Sequence, residues 1–248
     1  MKESELLWQP GLHPLHQASV WCGDPLYRWQ ADILCAFARP GSRVIASTNN
    51  ESGKTSVLLP IAGLSAMINF PGCYVFSTSG SEDQVREQLF IIQLEPIIRD
   101  LPGWSISTAK GNLNVMAPNG SRWKGYKCAK GGTTEGFHGQ RRRCNDGVVR
   151  YRPCVYLMDE CKSIPDEIFE AVMRIDPDLL LAVSTPGAEE GWFYKAIDPD
   201  LLEMKPEDTP RHEPEMLDTT TMTEAQIQAE IDMREEQLRI IEEVDRDE

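Results

Sequence analysis

The chain has 248 residues, 41% of them hydrophobic, which is enough for a sizeable core in one large domain or two small ones. No apolar run reaches the ~18 residues of a membrane span, and the N-terminus lacks a basic segment followed by an apolar one, so neither a membrane protein nor a signal peptide is expected and the place is the cytoplasm. The formal net charge of −14 argues against a nucleic-acid partner, but positions 203–248 hold 16 acidic against 5 basic residues, which leaves a near balance of 23 against 20 in residues 1–202.

Seven cysteines without a C-x-x-C pair fit a reduced compartment better than a disulfide framework or a zinc site. Residues 1–40 mix Trp, His and Pro without strong periodicity and lead into a predicted helix, RWQADILCAFA, at 28–38. VIASTNNESGKTS (44–56) then reads as an apolar strand entering a phosphate-binding loop, followed by a mostly apolar helix with Pro60 near its first turn. A lone S-G-K-T recurs by chance, but strand, loop and helix in this order supply the context the motif requires. In that chemistry the backbone N–H groups at the helix start, Asn50 to Ser56, cradle phosphates. Gly53 lets the backbone come close, Lys54 reaches the β and γ oxygens, and the Thr55 hydroxyl binds Mg²⁺, with Ser52 and Ser56 completing the loop. Thr48 stands where the first glycine of the usual pattern would be, a change at the loop entrance that removes no necessary phosphate contact.

PGCYVFSTS predicts a second strand, and a helix follows at about 81–99 with Ser81, Glu82 and Asp83 near its start. WSISTAK, NLNVMAP and SRWKGYKCAK are short alternations separated by Gly and Asn, read as a small antiparallel insertion. PCVYLMDE and DLLLAVSTP are near-continuous apolar runs, as expected of buried parallel strands, with a helix at about 166–174 between them. The order predicts a P-loop α/β fold with a predominantly parallel central sheet flanked by helices and its ligand at the carboxyl ends of the strands. The division expected is a P-loop domain at 1–202, an acidic proline-rich linker at 203–222 and an amphipathic helix at 223–248. Thr223 and Gln226 open that helix, and Ile227, Ile231, Leu238 and Ile241 share one face.

Asp159 and Glu160 follow the apolar run Val155–Met158 at a strand's carboxyl end. In a P-loop enzyme the first acid holds the Mg²⁺ shell or the loop hydroxyl, and the second orients and activates the attacking water. Ser184 and Thr185, closing LLLAVSTPG, stand beside those acids, where small hydroxyls sense a γ-phosphate. Tyr27 or Trp29 offers a stacking face for a base whose edge Gln30 can read, both as donor and as acceptor.

Together these residues resemble the ATPase domain of the large terminase subunits that pump DNA into tailed-phage heads. RWQADIL looks like their adenine motif, STNNESGKTS their deviant P-loop, VYLMDE their acidic strand and VSTP their coupling motif. YVFSTSGSEDQVREQLF is similar to the family's strand and helix after the P-loop, and TTEGFHGQ with DECKSIPDEIFEAV to one of its branches, so the likeness spans about 26–194. It implies ATP and Mg²⁺ as cofactors and duplex DNA, the portal protein of the procapsid and a small terminase subunit as partners, in a ring of five subunits, with a monomer in isolation. Asn49 and Asn50 replace the Arg or Lys that many members carry in the P-loop, and His138-Gly139 replaces an Arg-Gly. Arg141, Arg142 and Arg143 are therefore the expected trans-acting cation or, equally, a loop on DNA phosphates. The family usually continues into a nuclease domain for which no room remains, which implies a split gene with a separate nuclease subunit, or a fragment. Two other readings stay open from the residues alone: a helicase-like or repair-associated P-loop ATPase, and a slow nucleotide-dependent DNA clamp.

Overall fold

Residues 154–158 and 179–184 are apolar almost without interruption, and a strand of that kind needs cover on both faces. In the computed structural model they form β9 (Cys154–Met158) and β10 (Leu179–Ser184) near the middle of a seven-stranded sheet. The structure describes residues 8–9, 11–49, 52–127, 140–143, 149–187, 190–197 and 216–247, with the backbone alone at 127, 140–143, 149–150 and 240–247. Val155 and Leu157 of β9 face one core with Leu179, Leu181 and Val183 of β10, while Tyr156 and Met158 face a second core with Leu180 and Ala182. The side-chain period of two thus sorts one apolar run into two hydrophobic layers.

The first layer is covered by α1 (Pro14–Trp21), α2 (Arg28–Ala38) and α3 (Leu59–Asn69), and by a long helix wound as π over Gln84–Leu94 that continues into α4 (Glu95–Arg99). The second is covered by α5 (Asp166–Ile175) and α6 (Gly191–Ala196), through Ile168, Val172, Trp192 and Phe193. Besides β9 and β10 the sheet contains β2 (Arg43–Ser47), β3 (Tyr74–Ser79), β4 (Ser105–Ala109), β5 (Asn112–Met116) and β6 (Arg122–Lys127), in the order β2-β10-β9-β3-β6-β5-β4. Five neighbours from β2 to β6 run parallel, and β4, β5 and β6 form an antiparallel meander. The antiparallel strands expected as an insertion are therefore the far edge of the main sheet, joined to it by the parallel pairing of β6 with β3.

Three features lie outside the pattern read from the sequence. The helix α1 buries Leu15 and Ala18 against the first core. A two-residue strand β1 (Leu26–Tyr27) pairs antiparallel with β11 (Met216–Leu217), which is distant in sequence, while β7 (Gln140–Arg143) and β8 (Val149–Arg152) make a separate antiparallel pair. The last helix, α7 (Glu224–Asp247), begins with the capping box read from Thr223 and Gln226: Gln226 N donates to Thr223 Oγ1 at 3.3 Å and Thr223 N to Gln226 Oε1 at 2.8 Å. Ile227 and Ile231 are buried in the first core, and the buried Arg234 is bonded to Asp32 of α2 at 2.7 Å and to Glu230. Among the described residues, no helix is long and apolar enough to cross a membrane.

In the first layer α3 packs closely against β6. A methyl group on Gly63 would lie 2.3 Å from the ring of the fully buried Trp123, whose Nε1 is fixed on Ser77 Oγ at 3.1 Å. Gly63→Ala should therefore cost about 1–3 kcal/mol in urea unfolding, the range for overpacking a rigid core, with an unchanged slope against urea. A neutral result would show that the helix and the indole are not in contact.

Candidate active site

The parallel register brings the ends of β2, β10, β9 and β3 within two residues of one another: Ser47 lies opposite Ser184, and Met158 opposite both Ala182 and Thr78. The ladder runs one residue past the strands, with Thr48 N donating to Ser184 O and Asp159 N to Thr78 O, each at 2.9 Å. Loop residues thus leave the sheet at fixed positions, in the crevice where open α/β sheets hold their ligands.

Beyond β2 the loop closes on itself. Thr48 Oγ1 and Ser52 Oγ lie 2.9 Å apart, and Ser52 Oγ donates to Asn49 O at 2.7 Å. Gly53 has φ +83, a left-handed conformation that favours glycine, and a Cβ there would lie 2.5 Å from Gln30 Nε2, so the end of that amide would have to move. From Gly53 the chain enters a π turn, Lys54–Leu58, that runs straight into α3, with Val57 N and Leu58 N both donating to Gly53 O. The buried Lys54 donates from Nζ to Asn49 O at 2.7 Å and lies 3.4 Å from Ser52 Oγ. Desolvation lowers its pKa, against the pull of Glu160 and Asp159.

Thr55 Oγ1 donates to Asp159 Oδ2 at 2.6 Å, joining positions 104 residues apart. The other carboxylate oxygen, Oδ1, accepts from Glu160 N at 2.9 Å. Burial raises the Asp159 pKa, opposed by the Thr55 hydroxyl bond. Adjacent hydroxyl and carboxylate oxygens are the hard donors that suit Mg²⁺, which takes one or two protein ligands and fills the rest of its octahedron with water and phosphate. Thr55 Oγ1 and Asp159 Oδ2, 2.6 Å apart, offer one hydroxyl and one carboxylate of that kind.

Glu160 is in the left-handed region, φ 50, shared among the described non-glycine residues only with Asp176, which caps the end of α5. The cost of such a conformation is on the order of 1–3 kcal/mol. It aims Glu160 into a cavity of about 310 Å³ that is also lined by Ser52, Gly53, Lys54, Thr55 and Ser56. A larger hollow of about 540 Å³ lies at the other end of α2, beside Trp8, His13, Ala38 and Ile231, away from every paired acid and lysine of the loop.

Three helix residues missing from the sequence reading, Gln88, Ile92 and Gln93, complete the cavity wall. Their signal is an exposed Gln88 and Ile92 four apart on a helix, which puts them on one face. Lys162, two residues past the acidic pair, has no role in the sequence pattern but a definite one in the structure: its Nζ lies 3.5 Å from Glu160 Oε2 and donates to Thr185 Oγ1, while its backbone N donates to Ser184 Oγ at 3.2 Å. Ser184 and Thr185 are buried beside it.

Gln30 bridges two elements. Its Oε1 accepts from Tyr27 N and its Nε2 donates to Ser52 O, each at 2.9 Å. Tyr27 is stacked near Trp29, with ring centroids 6.0 Å apart at 13°. Asn50 and His138-Gly139 lie outside the described residues, and Arg141, Arg142 and Arg143 are described only as backbone, in β7 opposite Tyr151, Arg150 and Val149.

No protein-family model matches the sequence, and no curated protein matches it. Among solved structures the chain is similar to the large terminase of a thermophilic bacteriophage, with a TM-score of 0.53 and 16% identity over 72% of this chain and 44% of that one. The ADP complex of that terminase gives a TM-score of 0.52 at 16% identity, over 72% and 43%. At this identity the likeness is one of fold, and the chain spans less than half the length of that terminase.

The raised Asp159 pKa has a defined sign. The native state holds that proton more tightly than the unfolded chain, so the ionised carboxylate costs stability above the native pKa, and the cost fades as pH falls through it toward the ordinary carboxylate range. Asp159→Asn keeps both hydrogen bonds, with Oδ1 toward Glu160 N and Nδ2 toward Thr55 Oγ1. The variant free of nucleotide should melt above the parent at pH 7, by roughly 2–4 °C per kcal/mol recovered, and the gap should close on acidification. A lower melting temperature for the variant at pH 7 would contradict this reading.

Proposed function

We propose that the chain is an ATP-hydrolysing, DNA-translocating motor of a viral genome-packaging complex, of the large-terminase kind. The observation that carries the reading is the 2.6 Å bond between Thr55 and Asp159, which joins a phosphate-loop hydroxyl to an acidic strand end with a second carboxylate, Glu160, one residue on. The fold shared with the thermophilic phage terminase supports it.

In this reading Lys54 and the backbone N–H groups from Gly53 to Ser56 hold the phosphates. Thr55 and Asp159 would hold Mg²⁺, which when bound supplies charge neutralisation at the phosphate oxygens. Glu160 orients a water and accepts its proton as the water oxygen bonds to the terminal phosphorus and the bridging oxygen leaves with the diphosphate. Tyr27 stacks on the adenine, and a base read by Gln30 would be coupled to the loop through a single amide, because that amide already bonds Ser52. Arg141, Arg142 and Arg143 serve a neighbouring subunit's site in a ring of five or, alternatively, contact DNA. Duplex DNA, the portal, a small terminase subunit and a separate nuclease are the partners, and the host cytoplasm is the place.

The test is steady-state phosphate release with and without duplex DNA, followed by packaging into empty heads. Duplex-stimulated release is expected, and an absence of ATP turnover under every condition would end the proposal. Glu160→Gln should titrate nucleotide normally and lose turnover on the order of 10²-fold, the contribution of a general base. Lys54→Ala should weaken nucleotide titration and turnover together.

A further inference from the structure

We infer that Lys162 is a positioning residue that ties Glu160 to the Ser184–Thr185 turn and yields it to a terminal phosphate, so that one ammonium links triphosphate binding to release of the general base. This rests on the ATPase reading above. It goes beyond that reading by assigning the carboxylate a restraint and the restraint a ligand.

The geometry is specific to this lysine. The ammonium lies between a carboxylate oxygen of Glu160, at 3.5 Å, and Thr185 Oγ1, to which it donates. Its backbone N–H is fixed on Ser184 Oγ, so main chain and side chain hold the same two-residue turn. The stem has a dedicated track: a Cβ on Gly187 would lie 2.7 Å from Lys162 Cβ and 3.2 Å from its Cδ, so the glycine makes room for the aliphatic chain to lie flat. The single 3-10 turn, Cys161–Ser163, is closed by Ser163 N on Glu160 O at 2.9 Å and anchored by the buried Cys161. Glu160 and Lys162 are therefore held in one short turn and cannot drift apart through the backbone.

Pairing a general base with an ammonium opposes its function, because the carboxylate oxygen is turned to the cation rather than to the attacking water. A restraint of this kind is useful only if something removes it. The side chains of Lys162 and Glu160 are 34% and 24% exposed, too open for a permanent buried pair and closed enough for an anion in the same cavity to compete. The outermost phosphate of a nucleotide held by Lys54 carries more charge than one carboxylate and offers several acceptor oxygens. Lys162 would follow it while still donating to Thr185, since an ammonium has three donors. Glu160 is then free for the water, and the displacement is transmitted to the Ser184–Thr185 turn.

The experiment compares the affinities of the full chain for ADP and for the slowly hydrolysed analogue ATPγS, both with Mg²⁺. Lys162→Met should lose on the order of tenfold in ATPγS affinity, the size of one charge-assisted hydrogen bond, and keep its ADP affinity within about twofold. Lys162→Arg should restore the preference, a rescue that a merely structural role would not show. Lys162→Gln, which keeps a donor toward Thr185 without the charge, should lose the preference as well and serves if the Met variant fails to fold. Equal changes for both nucleotides, or none, would overturn the inference while leaving the ATPase reading intact. Parent protein that binds neither nucleotide would overturn both.

Discussion

A hydroxyl at position 55 and a carboxylate at position 159 meet at 2.6 Å because four parallel strands end within two residues of one another. That alignment is a product of register, and register here is set by burial on both faces of β9 and β10. A shift of one residue would exchange the two cores, sending Tyr156 and Met158 to the side now packed by Leu157. The site thus inherits its geometry from apolar residues that never touch it. The polar groups refine the arrangement, through the bonds of Thr48 and Asp159 that carry the ladder past the strand ends.

Four charges then share a small volume: Lys54 and Lys162 against Asp159 and Glu160. The set is balanced, but three of its members are held where a stable protein would not choose to hold them. Lys54 is buried against a carbonyl, Asp159 is buried with its proton affinity raised, and Glu160 sits in a backbone conformation that favours glycine. These concentrated costs are borne by the large apolar layers on either side, and they mark the crevice as the part of the molecule shaped for chemistry.

Much of the fold was legible because its longest signals are local. The helix at 28–38 follows from apolar spacing, β9 and β10 from uninterrupted apolar runs, and the start of α7 from Thr223 and Gln226. What escaped depends on distant partners or weak patterns. The helix α1 buries His16 and Gln17 along with Leu15 and Ala18, so its inward face does not read as apolar. The β1–β11 pairing joins two-residue strands from opposite ends of the described chain, and no periodicity exists over two residues. The antiparallel strands were found as strands, but only the parallel pairing of β6 with β3 shows that they belong to the main sheet. In the site, the loop and the acidic pair stood out because their spacing is a motif, whereas the contribution of Lys162 arises from a contact with Thr185, 23 positions away.

The attachment of α7 to α2 has a mechanical side. The buried Arg234 grips Asp32, Ile227 and Ile231 are seated in the first core, and the first turn of α2 carries the Gln30 amide that holds Ser52 of the phosphate loop. Arg234 and Asp32, with the Gln30 amide bonded to Ser52, form a short line of hydrogen bonds from α7 through α2 to the phosphate loop.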